Sequence, residues 1–204
     1  MQRKMFDVLV SAVGLVVVFV LLVAGGLLMW GYSFANSNVH NQLAEQQIYF
    51  PPRVAFAHAV PGTEITPGMI PYLEQYAGQQ VLSGPQAEAY ADHFIAVHLS
   101  EMPYHGVYSQ ISTAARADPT NAKLTALEGV SFQGTTLRGL LLEAYGFWKF
   151  GQIAFWGAIA SFILAAVMAV LVGFGFWHAA KVSPEDELEL KGEEKEEEKD
   201  LQPA

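Results

Sequence analysis

The sequence contains no cysteine among its 204 residues. This absence excludes disulfide bonds, thiolate nucleophiles, cysteine-ligated zinc, iron–sulfur clusters and a lipoprotein anchor built on cysteine. Any part of the chain that is exported from the cytoplasm must therefore be stabilised by packing or by partner proteins, because disulfide cross-links are not available to it.

Positive charge is scarce as well. The chain has 11 Lys and Arg residues against 20 Asp and Glu, and they are too scattered to hold a phosphate backbone, so nucleic-acid binding is disfavoured. Residues 183–204 contain ten acidic residues and three lysines, which account for −7 of the net charge of −9. Such a segment has too little apolar content to fold alone, and we predict a disordered cytoplasmic tail. A contact with a basic cytoplasmic surface is the functional alternative.

Familiar catalytic motifs are also missing. The sequence has no GxSxG, no Ser-x-x-Lys, no HExxH and no glycine-rich phosphate-binding loop, and these local patterns accompany acyl transfer, metalloprotease and nucleotide chemistry. We therefore predict a protein that is not an enzyme and that has no catalytic, cofactor-binding or metal-binding residues.

Two long uncharged segments, residues 8–30 and 150–177, are present instead. A helix rises roughly 1.5 Å per residue, so the shorter segment reaches about 35 Å and exceeds a hydrocarbon core of about 30 Å. Aromatic residues gather at the segment ends, as is typical of the headgroup region. The predicted fold class is an all-α membrane protein, in which two transmembrane helices flank a mostly helical extracytoplasmic domain.

The first segment also has features of a signal peptide. Arg3 and Lys4 precede it, and Ser33 and Ala35 are small residues at the positions that a signal peptidase reads. The apolar region of a signal peptide runs about 7–15 residues, however, and this segment is far longer. We favour a retained anchor over a cleaved signal.

Basic residues near the span ends indicate the orientation. Arg3 and Lys4 precede the first span and the next basic residue is Arg53, which favours a cytoplasmic N-terminus. We predict a multi-pass plasma-membrane protein with both termini in the cytoplasm. Its segments are a cytoplasmic N-terminus (1–7), transmembrane helix 1 (8–30), an extracytoplasmic helical domain (31–149), transmembrane helix 2 (150–177) and a cytoplasmic acidic tail (178–204).

The extracytoplasmic segment is expected to be helical with one irregular section. The first span is expected to continue outward as a helix until Pro51 and Pro52 stop it, and the proline-rich residues 51–72 are expected to form a loop. Helices are predicted from residue 84 to Pro103 and over residues 107–117.

The last helix of this segment is expected to start at Asp118. This residue precedes Pro119, a pattern typical of an N-cap followed by proline at the first helical position. No further proline occurs until Pro184, so the helix is expected to rise toward the second span and to be continuous with it.

The second span has small side chains at every fourth position. Lipid gives helices no hydrophobic reason to associate, and membrane helices pair where small residues let their backbones approach. The partner is either the first span, through Ser11, Gly14, Gly25 and Gly26, or a helix of another protein. The predicted helix-packing interface consists of Gly157, Ser161, Ala165, Ala169 and Gly173.

Histidines and carboxylates occur together on one predicted helix. His93, His98 and Glu88 offer ligand types that suit zinc or non-haem iron. Ligands on one helix share a face when they are three or four residues apart, whereas the two histidines are five apart and Asp92 points about 100° away from His93. We predict a polar helix face, and a metal-dependent enzyme centred on His93, His98 and a carboxylate is the alternative.

Five blocks of the sequence form a further pattern. They are residues 46–52 (QQIYFPP), 72–80 (YLEQYAGQQ), 86–99 (QAEAYADHFIAVHL), 136–142 (TLRGLLL) and 145–152 (YGFWKFGQ). The chain resembles in these blocks an actinobacterial family of small two-span membrane proteins, often labelled aromatic ring-opening dioxygenases. The resemblance implies an actinobacterial source and a two-span topology, and it implies no established activity.

The sequence offers a predicted helix-packing surface and no catalytic motif, and this combination favours an accessory role. We predict an accessory or structural subunit of a larger plasma-membrane complex, which docks through its extracytoplasmic domain and the small-residue face of the second span. Its partners are expected to be other membrane-protein subunits and the lipid bilayer, with a hetero-complex favoured over a homo-oligomer. A sensor-like membrane module that acts through a partner is the alternative.

Overall fold

The computed structural model describes residues 3–182, and residues 183–204 of the predicted acidic tail (178–204) lie outside them. All regular structure in the described range is helical, apart from an isolated antiparallel bridge between Tyr49 and Gln80. The all-α class predicted from the sequence is confirmed. The described residues form two compact units, which we call the core unit (Trp30–Phe155) and the helix-pair unit (3–29 with 156–182).

Two long helices and several short ones make up the described chain. Three 3₁₀ turns lie at Pro67–Met69, Glu74–Tyr76 and Pro103–Gly106, and a π-helical turn, Ala91–Ile95, joins α4 to α5. The α-helices are α1 (Arg3–Gln46), α2 (Arg53–Ala57), α3 (Ile70–Leu73), α4 (Gly84–Tyr90), α5 (Ala96–Glu101), α6 (Tyr108–Ala117) and α7 (Ala122–Lys181).

The helices α1 and α7 are both long and apolar enough to cross a membrane, by length and composition. Both continue beyond the uncharged segments predicted from the sequence, α1 to Gln46 and α7 back to Ala122. Many of their large apolar side chains are exposed, among them Phe19 at 67% and Leu27 at 65%.

The helix-pair unit consists of α1 and α7 packed side by side in opposite directions. Near one end Ser11 lies against Gly175, and near the other a methyl carbon of Leu28 lies 3.3 Å from the position that a Cβ of Gly157 would occupy. Within the helix-pair unit, the buried positions of α7 are Ala158, Ala165, Val172 and Ala179. They are seven residues apart, which is the repeat of helices that pack by interlocking side chains in a left-handed pair.

In the core unit, the short helices pack against the parts of α1 and α7 that belong to this unit. Leu43 of α1 and Leu141 of α7 are almost completely buried in this core. At Gly84, the first residue of α4, a Cβ would lie 2.5 Å from the Cβ of Trp148, so only glycine permits this approach. The other buried core residues are Val39, Phe50, Phe56, Ile65, Met69, Leu73, Val81, Ala87, Ala91 and Ile95.

Two local predictions are wrong. Residues 51–72 are not loop throughout, because α2 begins directly after Pro52 and α3 lies near the end of this range. The last helix starts at Ala122 and not after Asp118, since the side-chain oxygen of Asn121 accepts a hydrogen bond from the backbone N–H of Leu124 at 3.2 Å. Asp118 instead accepts hydrogen bonds from Thr120 and Asn121 in the preceding turn.

Candidate functional site

The predicted small-residue face of α7 divides into two parts. Ala165 is buried against α1, Gly157 lies against Leu28, and Ser161 between them is half-buried. Four-residue steps turn about 40° around a helix of 3.6 residues per turn, so a ladder of five positions drifts away from any one neighbour. The helix pair therefore involves the first three of the five small residues, Gly157, Ser161 and Ala165.

The remaining ladder positions, Ala169 and Gly173, are exposed. A Cβ on Gly173 would meet no atom within 4 Å. The missing side chain leaves an apolar hollow of about 320 Å³ on the surface of α7, lined by Val170, Phe174 and Trp177 around the glycine. This hollow is the uncovered part of the predicted interface.

The candidate positions of the first span divide in the same way. Ser11 and Gly14 contact α7 at Gly175 and Val172, and Gly25 holds the ring of Phe162, whose Cε1 lies 2.7 Å from where a glycine Cβ would be. Gly26 has open space around it. Three of the four α1 positions thus serve the pairing of the chain's own helices.

The two histidines of the metal-site alternative have different neighbours. The Nδ1 atom of His98 lies 2.7 Å from the carbonyl oxygen of Phe94, and its ring packs on the Phe94 ring. His93 is stacked flat on Tyr72, with 3.5 Å between ring centroids. Among residues 3–182 no group of three or more His, Asp or Glu side chains is placed to hold a metal ion.

A polar cleft of about 230 Å³ lies beside His93 in the core unit. Both Asp92 and His93 line it, although adjacent residues of an α-helix diverge by about 100°. Both residues lie in the π-helical turn Ala91–Ile95, whose i→i+5 hydrogen bonds put more residues into one turn and so reduce the angle between neighbours. The remaining polar and aromatic lining residues are Tyr72, Gln75, Tyr76 and Glu88.

Asp92 is paired with Arg138 of α7, a residue that does not line the cleft. An Nη2 atom of Arg138 donates a hydrogen bond to Asp92 Oδ1 at 2.6 Å, and the two side chains form an ion pair that is 40% and 37% exposed. The Nε of Arg138 is buried and has no hydrogen-bond partner among the described residues. The ion pair fixes Asp92 and offsets its charge within the cleft wall.

A groove of about 300 Å³ runs between α1 and α7 within the core unit. Asn38, Gln42 and Gln46 line one side at four-residue intervals, and Glu143 and Phe147 line the other. The groove lining combines these carboxamides, one carboxylate and one aromatic ring with the apolar side chains of Val39, Leu43, Leu140 and Ala144.

Comparison with known proteins gives no match: no family model fits the chain, and no curated protein or solved structure matches it. The family resemblance described above therefore stays a prediction.

Proposed function

We propose that this chain is a non-catalytic accessory subunit of a larger plasma-membrane protein complex. In this role α1 and α7 anchor the chain in the bilayer, the core unit lies outside the cytoplasm, and a helix of another membrane-protein subunit docks on α7. A hetero-complex is favoured over a homo-oligomer.

The observation that carries the proposal is the apolar hollow at Gly173. Small residues matter in membranes because they let another helix approach closely. The contact with α1 already occupies Gly157 and Ala165, whereas Ala169 and Gly173 are left uncovered. A large apolar side chain from a partner helix would fill the hollow between Val170, Phe174 and Trp177 and gain dispersion contacts that lipid tails supply less well.

The antiparallel pairing of α1 and α7 supports placing both chain ends in the cytoplasm. At one end of the pair His178 Nδ1 lies 3.1 Å from Asp7 Oδ2, so the outer ends of both helices lie on the same side. Lys181 extends its ammonium group over the Trp177 ring at 3.9 Å, a combination suited to the membrane–water interface. The basic residues Arg3 and Lys4, in the first turn of α1, favour the cytoplasm for this end.

Outside the bilayer, the groove lined by Asn38, Gln42 and Gln46 is the second proposed contact. In the described part of the chain these three carboxamides make no side-chain hydrogen bond with another residue of the protein. They are therefore available to donate to and accept from a partner subunit without breaking existing bonds. Glu143 on the opposite side favours a partner that presents a cation there.

The docking proposal is tested by native purification of a Gly173→Leu variant. We expect the wild-type chain, extracted gently from its own membranes, to bring a stoichiometric membrane-protein partner that mass spectrometry identifies. Leucine at position 173 fills the hollow, so the yield of this partner should fall at least about tenfold, the effect of roughly 1.4 kcal/mol of lost contact.

The matched control is Gly26→Leu, because Gly26 is an open glycine on the other helix of the pair. This variant should keep the partner at the wild-type yield. A wild-type chain that purifies as a monomer without companions would refute the accessory role. Equal partner loss in both variants would refute docking at Gly173.

A further inference from the structure

We propose that the cleft beside His93 binds an organic cation, namely the protonated amine of an alkylammonium group or a guanidinium group. This inference is independent of the docking role and concerns a different surface. The ligand chemistry follows from three features of the cleft: an unpaired carboxylate, an aromatic wall and a second carboxylate fixed in place.

The unpaired carboxylate belongs to Glu88. Its side chain is half-buried at the cleft, and no residue of the described chain forms a hydrogen bond or an ion pair with it. A charged group that is partly removed from water and lacks a partner loses solvation without compensation. A cation that enters the cleft would supply the missing charge-assisted hydrogen bond.

Aromatic side chains form the second feature. Tyr72 and Tyr76 both line the cleft, and the parallel stacking on His93 holds Tyr72 in one orientation. Tyr76 is likewise packed on Phe50, with 5.1 Å between ring centroids. Tyrosine rings attract organic cations through their quadrupole, and their hydroxyl oxygens accept hydrogen bonds from N–H groups.

The third feature is Asp92, one helical turn after Glu88. The ion pair with Arg138, in which Nη2 lies 2.6 Å from Asp92 Oδ1, holds the Asp92 carboxylate in place and offsets its charge. The carboxylates of Glu88 and Asp92 can therefore line one cleft without full electrostatic repulsion. Because Arg138 approaches from α7 and does not line the cleft, the second oxygen of Asp92 can accept from a ligand.

An organic cation fits this cleft better than a metal ion does. The described residues contain no group of His, Asp and Glu with metal-ligand placement, and tyrosine ring faces offer nothing to zinc or magnesium. The volume of about 230 Å³ accommodates a charged head with a short aliphatic stem. The source is either a free amine or the lysine or arginine side chain of another protein.

The test is a titration of the full chain in a maltoside detergent, followed by NMR of the His93 ring. Phosphocholine detergents are avoided because choline is itself an organic cation. n-Butylammonium should shift the His93 signals saturably, with a dissociation constant on the order of 1 mM, as expected for a few charge-assisted contacts. A neutral analogue of the same shape, n-butanol, should cause no saturable shift.

Variants assign the binding to the cleft. Glu88→Gln should raise the dissociation constant at least about tenfold while the thermal unfolding midpoint stays within the wild-type range, and Glu88→Asp, which keeps the charge, should retain saturable binding. Glu101→Gln is the matched control, because Glu101 is an exposed acid at the end of α5 outside the cleft. It should bind as the wild type does.

The remaining outcomes distinguish a free amine from a protein side chain as the ligand, and they include the results that would overturn the proposal. A blocked Ala-Lys-Ala tripeptide that binds at least tenfold more tightly than n-butylammonium would support a protein side chain, and equal affinity would support a free amine. No saturable shift with either probe, an equal shift with n-butanol, or unchanged binding in Glu88→Gln would overturn the proposal. Tighter binding of Zn²⁺ that Glu88→Gln removes would also overturn it and restore the metal-site alternative.

Discussion

Single residues of the core unit owe their surroundings to segments that are distant in sequence. Tyr90 packs its ring on Phe94 in its own helical stretch and on Phe50 from the segment after α1, with centroids 4.7 and 5.3 Å away. Burial among these rings raises the pKa of the Tyr90 phenol, and the nearby carboxylate of Glu64 raises it further. Both effects disfavour the phenolate in the folded protein.

A loss of stability at alkaline pH follows from Tyr90. The unfolded chain ionises near the ordinary tyrosine pKa of about 10, whereas the folded chain ionises higher. The contribution of Tyr90 to the free energy of unfolding is therefore fully present below about pH 10, and it is lost as the pH rises through the folded-state pKa. Replacing the residue by Tyr90→Phe should reduce the fall in the free energy of unfolding between pH 8 and pH 11, measured by chemical denaturation in detergent.

The control for this experiment is Tyr49→Phe, because Tyr49 is 55% exposed. The alkaline fall in stability should be the same in this variant as in the wild type. An unchanged fall in Tyr90→Phe would show that other tyrosines and lysines cause the alkaline effect.

At the scale of elements, the pairing of α1 with α7 depends on small residues at close approach. Ser11 and Gly175 are the tightest of these contacts, since the Ser11 hydroxyl occupies the space into which a Cβ at position 175 would project. Gly173, only two residues away, has open space around it. Two neighbouring glycines on one helix therefore have different roles.

Gly175→Leu should weaken the helix pair. The larger side chain has to displace Ser11, and overpacking of this kind costs typically about 1–3 kcal/mol. We expect a lower thermal unfolding midpoint in maltoside and a larger apparent size in detergent. Gly173→Leu is the matched control and should unfold at the wild-type temperature, because its side chain projects into the hollow. Equal destabilisation by both substitutions would contradict the assigned pairing.

At the scale of the whole molecule, the chain consists of an antiparallel helix pair and a separately packed helical core unit. Antiparallel pairing puts the start of α1 and the end of α7 on one side, as the contact between Asp7 and His178 illustrates. If the pair spans a bilayer, both chain ends lie in the same compartment.

Reporter fusions test this topology. Green fluorescent protein joined to either end of the chain should fluoresce, because it folds in the cytoplasm, which Arg3 and Lys4 in the first turn of α1 favour for this side. Alkaline phosphatase inserted near Gly62, in an exposed turn of the core unit, should be active, because that enzyme requires export. Activity of phosphatase at either end would contradict the proposed orientation.

Hydropathy and proline placement were sufficient to predict much of the fold. Uncharged runs of more than 20 residues predict the apolar parts of α1 and α7, and proline at the start of α4 matches its observed boundary. The start of α7 was predicted wrongly because Asp118 and Asn121 are both good capping residues. The choice between them depends on hydrogen bonds in the turn, which local propensity does not rank.

The candidate sites were predicted only in part. Spacing in sequence identifies the small residues of α7, but which of them meet α1 depends on a seven-residue repeat that places Ala165 inside and Gly173 outside. The cleft was missed, because it needs Tyr72 from α3 beside a π-helical turn and Arg138 from α7 behind it.

The two apolar helices and the helical class thus follow from local sequence, since transfer energy and backbone preference act over a few turns of chain. The partition of the small-residue face, the flat stack of Tyr72 on His93 and the ion pair of Arg138 with Asp92 depend on segments that are distant in sequence. Arg138 and Asp92 are 46 residues apart, and the contacts between α1 and α7 join residues more than 100 apart. Such contacts form only when packing brings those segments together, because their geometry is set by the shapes of all the side chains between them.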